Sequence, residues 1–316
     1  MSTVLIYDPI SEDGLNILRK AGHTLITRQE LNEKNKDSIE GLVIRTSPLK
    51  GDFLSQLPHL KVIGRHGVGV DNIDLDYATQ AGILVGNTPY ANAVSVAEHV
   101  LGMMLYFIKK YTLSDSLIRE GKFRERDHIG LSELNGKTLG IIGFGKVGKA
   151  VYRIAHDGFA MNVVVYDPYI EMPKDVHRVE KLEELLKSSD FVTIHTPLTE
   201  ETHCMIDTKE LSLMKKGAIL INAARGPVIN VDAVAQSLRD GHLGGLAVDV
   251  FPEEPPRPDS PILTAPHVLM TPHSAALTYE AIYRMATGAA EAVVRVLRGE
   301  KPDYIVNPEV LKEGKK

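Results

Sequence analysis

Residues Leu139 to Ala150 read "LGIIGFGKVGKA". The first part is an apolar run of strand length. The last part opens a stretch with helical spacing, Lys146–Ala155. Between them Gly143, Gly145 and Gly148 fit the pattern G-x-G-x-x-G. Gly143 allows a tight turn, Gly145 lets a pyrophosphate approach the backbone, and Gly148 lets helix and strand pack closely. Phe144, Lys146 and Val147 complete the turn and are candidate cofactor contacts with it. The N–H groups that open such a helix, and the positive end of its dipole, attract phosphate. The next strand, Asn162–Tyr166, leads to Asp167, 19 residues beyond Gly148, near the ~20 expected for an acid that accepts from both ribose hydroxyls. That carboxylate would repel a 2′-phosphate, and Pro168, Tyr169 and Ile170 after it bring no arginine. Strand, turn, helix, strand and acid together point to NAD rather than NADP.

This turn lies almost half way along a chain of 316 residues, long for one domain and comfortable for two. Strand-like and helix-like runs alternate on both sides of it. Before it, strands are expected at Thr3–Tyr7, Leu42–Arg45, Val62–Arg65 and Ile83–Val85, with helices at Glu12–Lys20, Asp52–Leu57 and Leu75–Ala81. After the turn's own strand, Thr138–Ile142, and Asn162–Tyr166, strands are expected at Phe191–Ile194, Ala218–Asn222 and Leu246–Val250. Helices follow at Leu182–Lys187, Lys209–Lys215 and Ala233–Arg239, the last with Asp232 as its N-cap. Such alternation implies parallel sheets with helices on both faces. The expected fold is therefore α/β with two parallel-sheet lobes. A long helical stretch from Ser95 to about Glu120 should bridge them. The final helix, about Tyr279 to Leu297, is more than the second lobe needs, so it should pack back on the first. A ligand would bind in the cleft between lobes, at the carboxyl ends of the strands.

Composition narrows the class. With 43% apolar and 24% charged residues the chain reads as globular, and one cysteine, Cys204, permits no internal disulfide. A reducing, cytoplasmic setting is expected. A net charge of −5 gives no sign of nucleic-acid binding. The basic end, Lys312 to Lys316, reads as a solvated tail. The N-terminus lacks the pattern of a signal peptide. The run Val100–Ile108 is too short to span a membrane. No metal site is expected.

Three stretches end or follow strands on the side where such sheets bind ligands: "INAARGPVIN" with Arg225, "AVDVFPEEPP" with Glu253 and Glu254, and "VLMTPHSAA" with His273. They supply a cation, an acid and an imidazole. A substrate carboxylate and its neighbouring oxygen call for a bidentate donor that stays charged, hence arginine. A hydroxyl that loses its proton as a hydride leaves calls for a base active near neutrality, hence histidine. A carboxylate behind that histidine stabilises its charged form. His99, His128 and His195 compete for the role; His195, in "TIHTPLT", ends a strand where cofactor contact is the better reading.

These motifs, "GIIGFGKVGKAV", "IHTPLTEET", "KKGAILINAARGPVIN", "GLAVDVFPEEPP" and "MTPHSA", resemble those of the D-isomer-specific 2-hydroxyacid dehydrogenases from about residue 3 to 307. "KVIGRHGVGVDNIDLDYATQAGILVGNTP", followed by "NAVSVAEH", is similar to the phosphoglycerate dehydrogenase branch. The resemblance implies Arg225 as the substrate-orienting cation, Glu254 (not Glu253) as the carboxylate and His273 as acid/base. It implies Asp249 as the holder of the nicotinamide carboxamide. Further cofactor contacts are implied at His195, Thr196, Pro197, Thr202, Ala223, Ala224 and Ala275. It also implies a Rossmann NAD-binding domain, 99–286, inserted in a flavodoxin-like substrate-binding domain formed by 1–98 and 287–316.

In the first lobe, Gly67 and Gly69 suit a backbone concavity for an anion, and Asp74 suits a helix N-cap. The resemblance implies that the Val68 and Gly69 amides bind the substrate carboxylate. Arg45 and Arg65 end the third and fourth expected strands and would point towards the cleft as candidate substrate contacts; the resemblance implies Arg45 for a distal anionic group. The helix "VAEHVLGMMLYFIKK" and the arm after it (SLIREGKFRERDHIGLSELNGK) suit a two-fold interface, so a homodimer is expected. No serine-sensing domain of the kind that some members of the branch carry is expected in these 316 residues. The expected activity is NAD-dependent interconversion of a D-2-hydroxy acid and its 2-keto acid, 3-phosphoglycerate first, in serine biosynthesis. Reduction of hydroxypyruvate or glyoxylate is the second reading. An NAD-regulated corepressor-like binding protein is the reading from another class.

Overall fold

The computed structural model describes residues 1–313. The basic end read as a solvated tail, Lys312 to Lys316, lies outside the described side chains. The chain divides into two compact units, Met1–Asn92 with Ala276–Lys316, and Ala93–Ala275.

The first unit is built on five strands: β1 (Thr3–Ile6), β2 (Thr24–Thr27), β3 (Ile39–Ile44), β4 (Val62–Arg65) and β5 (Leu84–Gly86). All pair in parallel in the order β2-β1-β3-β4-β5, the flavodoxin-like order. The strand β2 was not expected. It sits at the sheet edge with its burial pattern mixed rather than buried, so its apolar content is too low to stand out. Helix Tyr279–Leu297 lies on this sheet, with Ala289, Val293 and Val294 packed against Val4, Val43 and Val62. Small residues let it come close: a Cβ on Gly64 would meet the Ala289 carbonyl oxygen at 2.4 Å. Asp74 caps helix Leu75–Gln80 by accepting from the Tyr77 N–H.

The second unit holds six parallel strands: β6 (Thr138–Ile142), β7 (Asn162–Tyr166), β8 (Phe191–Ile194), β9 (Ile219–Asn222), β10 (Gly245–Val248) and β11 (Val268–Met270). Their order is β11-β10-β9-β8-β6-β7. Outside β7 an isolated parallel bridge joins Val165 to Arg178. With that bridge as an outer edge, the order is that of a doubly wound dinucleotide fold, reversing direction between β6 and β8. Two buried layers flank the sheet. One contains Leu220, Val234 and Leu246; the other contains Val100, Met104, Leu139 and Ile141.

Three expectations are corrected. The unit boundaries fall earlier than 98/99 and 286/287. Helix Ala93–Lys109 lies wholly in the second unit, and helix Tyr279–Leu297 wholly in the first. The long helical stretch is broken into Ala93–Lys109 and Tyr111–Arg119 by Lys110, whose φ is +45°. The N-cap of helix Val231–Arg239 is Asn230, which accepts from the Asp232 and Ala233 N–H groups; Asp232 is already inside the first turn. The apolar circumference of Ala93–Lys109 is largely taken up by its own unit, since Ala97, Val100, Leu101, Met103, Met104 and Ile108 are buried there.

Candidate functional site

The turn after β6 sits where strand direction reverses. Gly143 has φ +93°, and its N–H donates to the Tyr166 carbonyl at 2.9 Å. A Cβ on Gly148 would stand 2.2 Å from the Gly143 carbonyl oxygen, so only glycine lets the helix start this close to the strand. Around Gly145 the space is open, with no atom within 4 Å of an added Cβ. It caps helix Lys146–Arg153, whose first N–H groups have no partner within the helix. Phe144 contributes backbone only, because its ring is buried in the core. Val147 is packed partly against the same core and Lys146 is exposed.

Asp167 ends β7. Its carboxylate accepts from the Phe144 N–H at 2.8 Å and the Tyr169 N–H at 2.9 Å. It thus ties the end of β7 to the glycine turn, and a carboxylate has further lone pairs for ribose hydroxyls. Beyond β8, Thr196 abuts Gly143, and its Oγ1 is buried without a partner. Thr202 accepts from the Thr199 N–H and donates to the Pro197 carbonyl. It therefore shapes the Pro197–Thr202 loop.

Arg225 leaves the end of β9. Buried Asn222 accepts from the Ala224 N–H at 3.1 Å and donates to the Arg225 carbonyl at 2.8 Å, which fixes this turn. The guanidinium donates to the Ala224 carbonyl. A Cβ on Gly226 would lie 1.9 Å from the Phe251 carbonyl carbon. The exits of β9 and β10 are therefore in backbone contact at Gly226. From the β10 exit, Glu254 accepts from the Phe251 N–H with one oxygen, at 3.1 Å, and meets His273 Nδ1 with the other, at 2.7 Å. Glu253 has no such contact in this pair. Both side chains of the pair are partly open, 51% exposed for His273 and 39% for Glu254. The carboxylate takes the proton on Nδ1, so Nε2 is the nitrogen left to meet a ligand.

The backbone of His273 is in the left-handed region, φ +50°. Its N–H donates to the Asp249 and Thr271 carbonyls. Asp249, 1% exposed, accepts from Thr271 Oγ1 at 2.5 Å, the Ser274 N–H at 2.8 Å and the Ala275 N–H at 2.9 Å. The residue expected to hold the carboxamide thus also holds the turn that carries His273.

The competing histidines separate. Burial pushes His195 down to about 3, so it stays neutral and is unsuited to proton transfer near pH 7; a ring nitrogen meets Thr193 Oγ1. His128 is exposed in the 3-10 turn Phe123–His128. His99 bonds to Thr271.

In the first unit, the loop after β4 bears the candidate anion contacts. Arg65 turns its guanidinium on that loop: Nε donates to the Gly69 carbonyl at 2.7 Å and Nη1 to the His66 carbonyl. The guanidinium is thereby tied to carbonyls of the loop that follows its own strand. With those carbonyls held, the Val68 and Gly69 N–H groups donate to no acceptor among the described residues. Arg45 makes no side-chain hydrogen bond or ion pair among the described residues, while its backbone N–H donates to Asp8 at 2.8 Å. Burial first, then the charges of Arg45 and Arg65, push His66 down to about 4.

Sequence reasoning missed Thr271 and Asn222 as organisers of the two turns. Each is a polar residue at the carboxyl end of a strand, and that placement was the available signal. Among the described residues no group of three or more His, Cys, Asp or Glu could hold a metal, and no helix is long and apolar enough to cross a membrane.

The second unit has the architecture of a dinucleotide-binding protein with an imidazole–carboxylate pair at the strand exits. Comparison with known proteins gives it a family. The model for the NAD-binding domain of D-isomer specific 2-hydroxyacid dehydrogenases matches residues 101–275. The chain belongs to the D-isomer specific 2-hydroxyacid dehydrogenase family.

D-3-phosphoglycerate dehydrogenase of Methanocaldococcus jannaschii is 42% identical over 97% of this chain and 60% of that protein. The chain thus spans about 60% of the length of the curated phosphoglycerate dehydrogenases it matches. Glyoxylate reductase of Thermofilum pendens is 37% identical over 96% of this chain and 94% of that protein. Among solved structures, D-lactate dehydrogenase of Aquifex aeolicus, complexed with NAD and lactic acid, superposes with a TM-score of 0.86 at 30% identity, covering 97% and 99% of the two chains. NAD is the cofactor of this family, and the residues present fit it. The close-approach glycines, the open space at Gly145, the Asp167 carboxylate and the orphaned Thr196 hydroxyl make a cradle for a pyrophosphate and a ribose.

Proposed function

We propose that this protein is an NAD-dependent oxidoreductase that interconverts a D-2-hydroxy acid and its 2-keto acid. The observation that carries the reading is the 2.7 Å contact of His273 Nδ1 with Glu254, on strand exits beside the turn that bears Arg225. In oxidation, His273 Nε2 takes the hydroxyl proton, and the Glu254 carboxylate stabilises the resulting imidazolium. In reduction the charged ring returns that proton to the forming alkoxide. NAD, when bound, supplies the hydride acceptor. Arg225 holds the substrate carboxylate and the reacting oxygen through its forked donors. The Val68 and Gly69 amides are the substrate contacts proposed for the first unit, and Gly143, Gly145, Gly148, Asp167 and Thr196 those proposed for NAD in the second.

The proposed substrate pair is 3-phosphoglycerate and its 2-keto acid, with Arg45 on the distal phosphate and serine biosynthesis as the setting. A second reading, reduction of glyoxylate or hydroxypyruvate, is favoured by the match to a glyoxylate reductase along 94% of its length. The proposed assembly is a homodimer. Its support is the arm after helix Ala93–Lys109, where Tyr111, Leu113, Ile118, Phe123 and Leu131 are exposed. One cysteine in the chain suits a reducing compartment, and the cytoplasm is the proposed location.

The test is steady-state turnover of NADH with the keto acids of 3-phosphoglycerate, glycerate, glycolate and lactate. Turnover with at least one is expected, and the ratio of kcat/KM values decides between the two readings. Tight NADH binding without turnover on any of them would remove the enzyme reading and favour a binding protein.

A further inference from the structure

His99 lies on helix Ala93–Lys109, next to the buried Val100 and in a helix whose Met103 and Met104 are also buried. Its Nε2 is 3.1 Å from Thr271 Oγ1 and 3.8 Å from Asp249 Oδ1. Thr271 Oγ1 is in turn 2.5 Å from Asp249 Oδ1. A threonine hydroxyl has one hydrogen, and an ionised carboxylate can only accept. The threonine therefore donates to Asp249, and His99 must donate to the threonine. This fixes the His99 proton on Nε2. The direction of the chain is His99 to Thr271 to Asp249, and Asp249 also takes the Ser274 and Ala275 N–H groups on either side of its carboxylate.

Between the two ends of that grip stands His273 with φ +50°. A non-glycine residue in the left-handed region persists only where its surroundings over-determine it. Here the surroundings are the Asp249 carboxylate and carbonyl. Asp249 is itself 1% exposed, and a buried carboxylate keeps its place only when its hydrogen bonds are complete. Removing the donor behind Thr271 frees that hydroxyl to rotate towards other acceptors, such as the Val248 carbonyl 3.5 Å away.

We propose that His99 is a positioning residue for His273, acting as the N–H donor that completes the Thr271–Asp249 relay. The proposal rests on His273 being the acid/base of the reaction proposed above. The relay couples the imidazole's turn to a helix anchored in the core. An error of about 1 Å in the placement of a reacting group costs up to ~10²-fold in rate.

The experiment compares the wild type with H99L, which keeps bulk but no donor, and H99Q, which keeps an N–H at similar reach. H99L should lose roughly 10- to 100-fold in kcat with a much smaller rise in its NADH dissociation constant, since Asp249, the expected holder of the carboxamide, keeps its Ser274 and Ala275 donors. H99Q should recover most of kcat. T271V, which cuts the relay from the sheet side, should match H99L. The His273 ring resonance, read by NMR, should shift in H99L and T271V and return in H99Q. H99L with wild-type kcat and an unmoved His273 resonance overturns the proposal, as does H99Q no better than H99L. If the wild type turns over no keto acid, the dehydrogenase reading fails, and the His273 resonance still decides the relay.

Discussion

At the scale of single residues, the chemistry of the site rests on where carboxylates spend their lone pairs. Glu254 divides its oxygens between a backbone N–H of its own loop and His273. Asp249 gives all its described bonds to the turn that carries His273. Asp167 anchors the glycine turn through Phe144 and has lone pairs left for the ribose. Changing Asp167 to Ala removes both the anchor and the charge that opposes a 2′-phosphate. The preference for NAD over NADP, measured as a ratio of kcat/KM values, should fall about tenfold or more, the scale of a hydrogen bond to a charged group. An unchanged ratio would mean that Asp167 does not read the ribose.

At the scale of elements, the strand exits matter more than the strands. The turns after β9 and β10 meet at Gly226, where an added Cβ would stand 1.9 Å from the Phe251 carbonyl carbon. G226A must push the two exits apart, and with them Arg225 and Glu254. We expect loss of turnover together with a drop in stability of about 3 kcal/mol or more, read by thermal unfolding and by activity. A variant that melts and turns over like the wild type would show that the exits need not touch. Much of this level was legible in advance. The G-x-G-x-x-G turn, Asp167 and the three strand-exit motifs were readable because each combines an apolar run with a functional residue at its end. Helix Glu12–Lys20 and helix Tyr279–Leu297 were found with their observed bounds, because their apolar spacing is regular and a glycine follows each. What escaped depends on contacts between distant segments. The edge strand β2 has little apolar signal of its own. The choice of Asn230 over Asp232 as N-cap is set by where the chain enters the helix. The inward turn of Arg65 depends on the carbonyls of a loop whose path the sequence does not state.

At the scale of the molecule, two histidines held neutral by their surroundings, His66 and His195, tie stability to pH. His66 titrates near 4 in the folded protein and near 6.5 when unfolded. The unfolded chain therefore binds more protons between these values, and stability rises with pH across that window. It is complete above about 6.5 and is lost as the pH falls towards 4. The full effect is on the order of 3 kcal/mol, and His195, pushed down to about 3, adds to it in the same direction. The unfolding midpoint of the wild type should fall between pH 6.5 and 4 more steeply than that of H66Q. Equal slopes would mean that His66 is not buried in its neutral form.

The proposed reaction passes its proton through His273 Nε2. It is tested most directly by kcat and the NADH dissociation constant of H273Q, measured side by side with the wild type on whichever keto acid the wild type reduces best. A fall in kcat of roughly 10²–10⁴-fold, with NADH affinity nearly intact, is expected. A variant that reduces the acid at the wild-type rate would contradict it.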